Sequence, residues 1–337
     1  ELHVSLDEVG VVELFSELGN SKLTNIEKKS LDNSFLKNNS IVESVAQLTG
    51  VDMISSGMGI QKIVVRGLSG MRVVTYLNGM QINNQQWAND HGIGFTDLGL
   101  SEVELIKGSS ALKYGSESIG GLLYFKDFPF ISNNKLNGFV ATKFNNSSYL
   151  SSSQFGFNWN KKNFFINLYA QYSLSSDYRL PNNTYLFNSR FNENAIKFSV
   201  SHRYKKIQNI FRYQFNNAIS GIPAHAHVDP ADVNISDITL SSLDLGTDFR
   251  ATRPTQFVNN QLFIYKFNYL LNDINLSLHA GHFINNLQEY EKWTVPAFDL
   301  TISTKQITPN IVFNANKLTI NLGSQISVLD NKNNQDL

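Results

Sequence analysis

Three stretches decide the reading of this chain: IVVRG (63–67), RVVTYLNGMQI (72–82) and SEVELIKGSSALKYGSESIGGLLYF (101–125). Short β-branched and aromatic runs alternate in them with glycines at fixed places. Val73–Leu77 and Met80–Ile82 flank Asn78-Gly79, a dipeptide that supplies the two positive φ angles of a tight hairpin turn. Residues 103–106 read as another strand, 109–114 as one helical turn stopped by Gly115, and 122–125 as a closing strand, with Pro129 ending the unit. Upstream, Ser40-Ile41-Val42-Glu43 has the form of a capping box, in which the serine accepts from the amide three residues on and the glutamate reaches back. Ile41, Val45 and Leu48 follow at helical spacing and Gly50 suits a left-handed stop, so 41–49 reads as a short amphipathic helix. Residues 31–37 read as a second helix, and Ile63 and Val65 begin an extended run. Gly57-Met58-Gly59 is not a dinucleotide loop: a third glycine is missing, and neither a preceding strand nor a following helix is indicated.

The chain has 337 residues, zero formal net charge and no cysteine. That length suits one large domain or two ordinary ones. The neutral balance gives no electrostatic reason to expect nucleic acid. Without cysteine there is no disulfide framework and no thiolate metal site. From Glu1 onward there is no charged n-region followed by an apolar h-region, so a signal peptide has been removed or never existed. No run approaches the ~18 apolar residues of a spanning helix. This excludes a helical membrane protein but not a β-barrel, whose spanning segments are short and half apolar. No Gly-x-Ser-x-Gly elbow, Walker loop or His-Glu-x-x-His is present, and enzymatic activity is not expected.

After residue 134 the pattern changes to segments of about ten residues that alternate apolar with polar. Phe164, Ile166, Leu168, Ala170, Tyr172 and Leu174 share one face, opposed by Asn163, Asn167, Gln171 and Ser173. The same holds for Ile196, Phe198 and Val200, for Ile274, Leu276 and Leu278, and for Leu318, Ile320, Leu322, Ile326 and Val328. Strands are expected near 136–145, 149–160, 163–174, 194–204, 207–217, 256–270, 273–287, 300–314 and 317–329. The junctions at 160–162, 205–206, 272–273 and 315–317 are tight, whereas those after Leu174, Asn217 and Leu287 are long. Outer-membrane barrels alternate short periplasmic turns with long external loops in this way. A soluble sandwich has no reason to gather its long loops at one end. Tyr149, Trp159, Tyr178, Tyr204, Tyr213, Tyr269 and Trp293 near strand ends suit interfacial girdles.

Arg66-Gly67, Asn78-Gly79, Lys107-Gly108, Tyr114-Gly115-Ser116 and Gly120-Gly121 fall in the order of the plug-domain signature of TonB-dependent outer-membrane receptors, which the chain resembles over residues 40–128. The resemblance implies a mixed α+β plug domain (1–128) followed by an antiparallel up-and-down transmembrane β-barrel (129–337). It implies no enzyme and no required cofactor. The expected location is the outer membrane of a Gram-negative cell. The implied partners are a TonB-type energy-coupling protein of the inner membrane, outer-membrane lipid and a small ligand, without nucleic acid. A plugged transporter of this kind has about 22 strands. The tally here is about nine, so the chain is expected to be truncated within the barrel. Two other classes stand beside the importer: a signalling or adhesion receptor that binds without transport, and a soluble α+β binding protein.

Coupling partners of such receptors grip an N-terminal segment by strand addition. Val9, Gly10, Val11, Val12 and Glu13, after Asp7-Glu8, form the candidate segment here. An ordinary plug strand, or a coupling segment before Glu1, is the alternative. The cargo signal is histidine. His225, His227 and Asp229 follow Gly221-Ile222-Pro223, and two imidazoles with a carboxylate at every second position project to one side of an extended segment. Such donors suit zinc or copper, which would be cargo. In the plug, Gln85, Gln86, Trp87, Asp90 and His91 resemble a segment found in receptors associated with metals. They would form the ligand-binding apex. His282, Glu289 and Glu291 are expected in a loop on the same side. The plainer reading of His-x-His is a solvated surface loop. His202 and His279 are expected in strands without chemistry.

Overall fold

The computed structural model describes residues 26–83, 96–108, 111, 114, 116–131, 134–181, 183–223, 239–240, 248–252, 254–291, 295–315 and 318–335. Its first part comprises β1 (Ile26–Ser30), α1 (Ser34–Lys37), α2 (Ile41–Val45), β2 (Val51–Gly57), β3 (Ile60–Val65), β4 (Val73–Leu77), β5 (Met80–Ile82), β6 (Leu100–Ile106) and β7 (Gly121–Asp127). Five of these strands make one sheet in the order β1-β6-β7-β4-β5, with β4 and β7 parallel. The remaining two, β2 and β3, form a separate hairpin. Val45, Ile63, Val65, Leu77, Leu105, Leu123 and Phe125 are fully buried between the sheet, the hairpin and α2.

Local details follow the sequence with four departures. Ser40 caps α2 by accepting from the Glu43 amide at 3.2 Å, but the Glu43 carboxylate reaches one residue further back than a capping box requires, accepting from Asn39 N at 2.8 Å. The helix also ends at Val45 rather than 49, because Leu48 N bonds to Val45 O and Val51 N to Leu48 O, closing the chain into tight turns. A strand does precede Gly57: β2 pairs with β3 across Met58-Gly59, and a strand rather than a helix follows. A strand at β1 (IEKKS) was also not expected. It is held by charge rather than apolar alternation: Lys28 lies opposite Glu104 with their charged ends 2.6 Å apart. Burial alone would raise the Glu104 carboxyl, but Lys126 and Lys28 outweigh it and hold the group below its usual range.

The second part comprises β8 (Leu136–Asn145), β9 (Leu150–Lys161), β10 (Phe164–Ser175), β11 (Tyr185–Leu186), β12 (Phe191–Tyr204), β13 (Ile207–Gly221), β14 (Thr239–Leu240), β15 (Thr255–Leu271), β16 (Ile274–Tyr290), β17 (Phe298–Ala315), β18 (Leu318–Gly323) and β19 (Ile326–Asn333). All but β11 and β14, which pair with each other, form one antiparallel wall in sequence order. β18 and β19 occupy successive stretches of one edge of β17 and act as a single interrupted strand, so the wall has nine strands. Among the described residues, β8 at one end of the wall and β18–β19 at the other have no mutual pairing. Two-residue connections at 162–163, 205–206, 272–273 and 316–317 gather at one end of the wall. The connections at 176–190, 222–254 and 291–297 gather at the other.

The exposure pattern of this wall is inverted relative to a soluble sheet. On β10 the buried positions include Asn167, Ser173 and Ser175, whereas Phe164 and Tyr172 are about half exposed. On β12, Glu193, Lys197, Ser199 and Ser201 are buried while Ile196 is 48% exposed. The polar face therefore looks inward and the apolar face outward, the arrangement of a membrane barrel. From Phe164 to Tyr172, eight strand steps at ~3.3 Å and a tilt of about 40° give an apolar height of roughly 20 Å, comparable with the ~25 Å of such bands. Trp159, Tyr204 and Tyr269 sit at its tight-turn margin. Toward the long loops the outward face becomes polar: Asn259 and Gln261 on β15, Asn286 and Gln288 on β16, Ser303 and Lys305 on β17. These strands project past the apolar band on that side only.

Leu168 faces outward in mid-band, opposite Phe198. Replacing Leu168→Arg in the full-length protein is expected to cost about 2–4 kcal/mol in a bilayer, against roughly 0.5 kcal/mol on a water-facing surface. Reversible urea unfolding in vesicles distinguishes the two.

Candidate functional site

The inner face of the wall is occupied by the first part of the chain. On one side the contact is apolar: Leu262 and Ile264 of β15 and Phe283 of β16 join the main core of the mixed domain. The Asn78-Gly79 turn seats there. Asn78 and Gly79 have φ of 50° and 89°, and a Cβ on Gly79 would lie 2.8 Å from His279 Nδ1. Only glycine meets both demands. Gln306 of β17 fixes this turn doubly, donating to Gly79 O at 2.8 Å and accepting from Gln81 N at 3.1 Å. Asn83 then donates to Thr304 Oγ1 at 2.8 Å.

Opposite, the contact is polar. Lys197 of β12 reaches inward to Asp127 at 2.7 Å and to Leu98 O at 3.0 Å, with both charged side chains buried. Arg212 approaches the other Asp127 oxygen at 3.9 Å and lies over the Phe130 ring. Above this pair runs a chain of amides: Gln154 donates to Asp97 at 3.2 Å and to Gln171 at 2.7 Å, Gln171 to Glu193 at 2.9 Å, and Asn216 to Glu193 at 2.7 Å. Lys143 enters from β8, donating to Asn38 O at 2.6 Å. Burial pushes the Asp97 carboxyl above its usual range, against the pull of Lys143 and of hydrogen bonds from Ser34 and Gln154. The cavity among these groups holds about 50 Å³. Ligand pockets run to ~300–1,000 Å³, so this space takes a few waters. It is a wet seam between domain and wall.

At the long-loop end, Arg190 is 2% exposed and bound on three sides. It donates through Nε and Nη2 to Asp177 (3.0 and 2.9 Å), and through Nη1 to Asp248 and to Arg250 O (both 2.7 Å). This ion knot ties the start of β12 to the connections 176–190 and 222–254. The tip of the β2–β3 hairpin reaches the same level, where Gly59 lies against Phe191 and Ser220.

Most residues proposed from the sequence for ligand and partner lie outside the described residues: Val9, Gly10, Val11, Val12 and Glu13; Gln85, Gln86, Trp87, Asp90 and His91; His225, His227 and Asp229; and Gly115 of the plug signature. Their flanks are described. Residues 84–95 run between Asn83, held by Thr304, and Thr96, which donates to Gln171 at 3.1 Å. His225 follows Pro223 by two residues at the long-loop end. The other signature residues serve the fold. Arg66 and Gly67 are left-handed, and Val65 and Leu68 bond each other across them. Lys107 clips Glu27 at 3.1 Å and Thr49 O at 3.0 Å. Gly108 is left-handed, Tyr114 packs on Tyr76, and Gly120 donates to Arg72 O.

His282 and Glu289 do not share a loop, because both lie within β16. Glu289 is buried on the inner face, whereas His282 points outward and meets Ser303 at 2.9 Å. An odd number of strand steps separates them, which puts them on opposite faces. His279 packs against Gly79, and His202 stacks on Phe164 with ring centroids 4.5 Å apart. No group of three or more His, Asp and Glu side chains placed to hold a metal occurs among the described residues. The Lys197–Asp127 pair and the Gln154–Gln171–Glu193 chain were missed in the sequence. The usable signal was charge on the inward strand face, Glu193 and Lys197 at even spacing with Ala195, Ser199 and Ser201.

A small mixed sheet seated against the polar concave face of an up-and-down wall defines a plugged β-barrel. Residues 20–122 match the family model described as the TonB-dependent Receptor Plug Domain. A curated relative, the vitamin B12 transporter BtuB of Photobacterium profundum, is 34% identical over 85 residues, 25% of this chain and 14% of that one. Among solved structures, a mutant of the ferric enterobactin receptor PfeA from Pseudomonas aeruginosa superposes with a TM-score of 0.70 at 10% identity, over 93% of this chain and 50% of that one. The siderophore receptor PirA from Acinetobacter baumannii gives 0.68 at 13% identity, covering 93% and 49%. The FrpB iron transporter from Neisseria meningitidis gives 0.67 at 11%, again covering 93% and 49%. The chain thus spans about half the length of these structures. Residues 20–122 thus match the plug domain of TonB-dependent receptors, and the wall that follows shares the fold of part of the barrel in these structures.

Removing Asp127 strands the buried Lys197 ammonium. Asp127→Leu is expected to destabilise the full-length protein by about 3–5 kcal/mol, with Asp127→Leu combined with Lys197→Met recovering most of the loss. Denaturant titration measures both. For Asp97 the folded carboxyl titrates above its unfolded value, so its contribution is present at low pH and is lost as pH rises through the folded pKa. Asp97→Asn is therefore expected to raise the unfolding midpoint at pH 8 and leave it unchanged at pH 4.

Proposed function

We propose that the whole protein is an outer-membrane receptor that imports a scarce metal ion or metal chelate, and that it is not an enzyme. The observation that carries this reading is the seat itself. A plug domain fills the concave polar face of a wall whose convex face is apolar. Such a wall is stable only with lipid outside, and a plugged pore passes nothing until the plug moves. The division runs with the plug as 1–128 and the barrel as 129–337. The moving force comes from a TonB-type protein of the inner membrane. It would grip the segment Val9–Gly10–Val11–Val12–Glu13 by strand addition, in which backbone hydrogen bonds supply the affinity.

The metal reading draws on side-chain chemistry. His225, His227 and Asp229 offer imidazole and carboxylate donors of the kind that suit zinc or copper. They are joined by Gln85, Gln86, Trp87, Asp90 and His91 from the plug. Both segments spring from anchors, at Asn83 and Thr96 and at Pro223, in the half of the wall nearest the long loops. The names of the similar proteins, which speak of ferric enterobactin, siderophores, iron and vitamin B12, support a chelate as readily as a bare ion.

Zinc and copper titrated into the full-length protein by calorimetry are expected to bind, and His225→Ala with His227→Ala to abolish the heat. Identical binding by the double variant removes the loop from the site. Growth on limiting metal, with and without the gene, separates import from binding alone.

A further inference from the structure

The tight-turn end of the wall carries a cluster of lysines well away from the plug seat. The turn between β9 and β10 contributes Lys161 and Lys162, and the segment leading into β8 contributes Lys135. Hydrogen bonds fasten the two segments together. Asn160 N donates to Lys135 O at 2.9 Å, Asn160 Nδ2 to Ile131 O at 2.7 Å, and Lys162 N to Asn134 Oδ1 at 2.6 Å. Asn134 and Lys162 are both left-handed, with φ of 48° and 55°. The result is an open cleft of about 270 Å³ lined by all three lysines, with Leu136 and Trp159 among its walls. Leu136 and Trp159 are register partners at the lower margin of the apolar band.

The three lysines are exposed, and none has a carboxylate within ion-pair range among the described residues. Residues 131–135 and 159–164 contain no acid at all. A neighbouring tight turn repeats the combination. Tyr204 is 56% exposed at the same margin, with Lys205 Nζ 5.2 Å from its ring centroid. Ammonium groups immediately beyond an outward indole and phenol match a phosphate layer immediately beyond hydrocarbon.

We infer that Lys135, Lys161, Lys162 and Trp159 form a binding site for the headgroup of an anionic glycerophospholipid. The lysines take the phosphate, and Trp159 and Leu136 take the glycerol and the first methylenes. The site lies on the leaflet served by the short turns, so an acidic phospholipid such as phosphatidylglycerol is the ligand. This inference rests on the membrane reading given above.

Trp159 is its own reporter. The full-length protein is placed in phosphatidylethanolamine vesicles doped with equal mole fractions of brominated phosphatidylglycerol or brominated phosphatidylcholine. The Trp159 signal is taken as the difference between the native protein and Trp159→Phe. Brominated phosphatidylglycerol is expected to be enriched at Trp159 about fivefold or more over brominated phosphatidylcholine, since each lysine near an acidic surface contributes on that scale. The preference disappears in the triple variant Lys135→Gln, Lys161→Gln, Lys162→Asn, in which asparagine tolerates the left-handed backbone. It persists in the triple arginine variant. Equal quenching by the two lipids overturns the site while leaving the membrane reading intact. A preference that survives the neutral variant overturns the assignment to these lysines. No quenching by either lipid means that Trp159 does not reach a bilayer, and defeats the membrane reading itself.

Discussion

One constraint organises the structure: a sheet with an apolar convex face and a polar concave face needs a different solvent on each side. In water alone, the outward rows of Phe164, Ile166 and Leu168 or of Ile196, Phe198 and Val200 would be a large exposed apolar surface, far beyond what a soluble monomer carries. Facing lipid, those rows are satisfied, and the cost moves inward. Lys197, Glu193, Asn216 and Gln171 must then find partners or water in a confined space. The plug supplies those partners, and the Lys197–Asp127 pair is the clearest case.

The plug seat is unequal around the wall. Against β15 and β16 it is apolar, with Leu262, Ile264 and Phe283 continuous with the plug's own core. Against β9, β10, β12 and β13 it is a water-accommodating seam of amides and carboxylates. The two kinds of contact respond differently to a pulling force. Hydrogen bonds in a wet seam exchange for water at a net cost near 1 kcal/mol each. Separating packed apolar surface costs free energy in proportion to the area exposed. A seam that accommodates water also tolerates buried amides such as Asn167 and Gln214, whose carbonyl oxygens have no protein partner among the described residues.

Along the wall axis the asymmetry is equally plain. One end has two-residue turns, lysines and outward Trp159, Tyr204 and Tyr269 set close to the apolar band. The other has strands that continue past the band with Asn, Gln, Ser and Lys facing out, and a fully buried arginine tying loop bases together. A short, charged, aromatic margin suits a flat lipid surface, and a tall polar collar suits exposed loops held well above it.

The wall was legible in sequence because strand alternation is a local property with period two. The nine expected segments, from 136–145 to 317–329, fall on the nine wall strands, and the short and long junctions sort them by end. The Asn78-Gly79 turn was legible for the same reason, since positive φ is set by the residue type itself. The strand β1 was not, because IEKKS has no apolar rhythm and becomes a strand only when Glu104 lies opposite Lys28. Nor was the division of His282 from Glu289, which depends on how far β16 extends beyond the band. Sequence alone determined which face of each strand is apolar and where the chain turns, since both are written in residue order. Tertiary structure alone decided which buried charge meets which, because Lys197 and Asp127 stand seventy positions apart and only the curling of the wall around the plug brings them together.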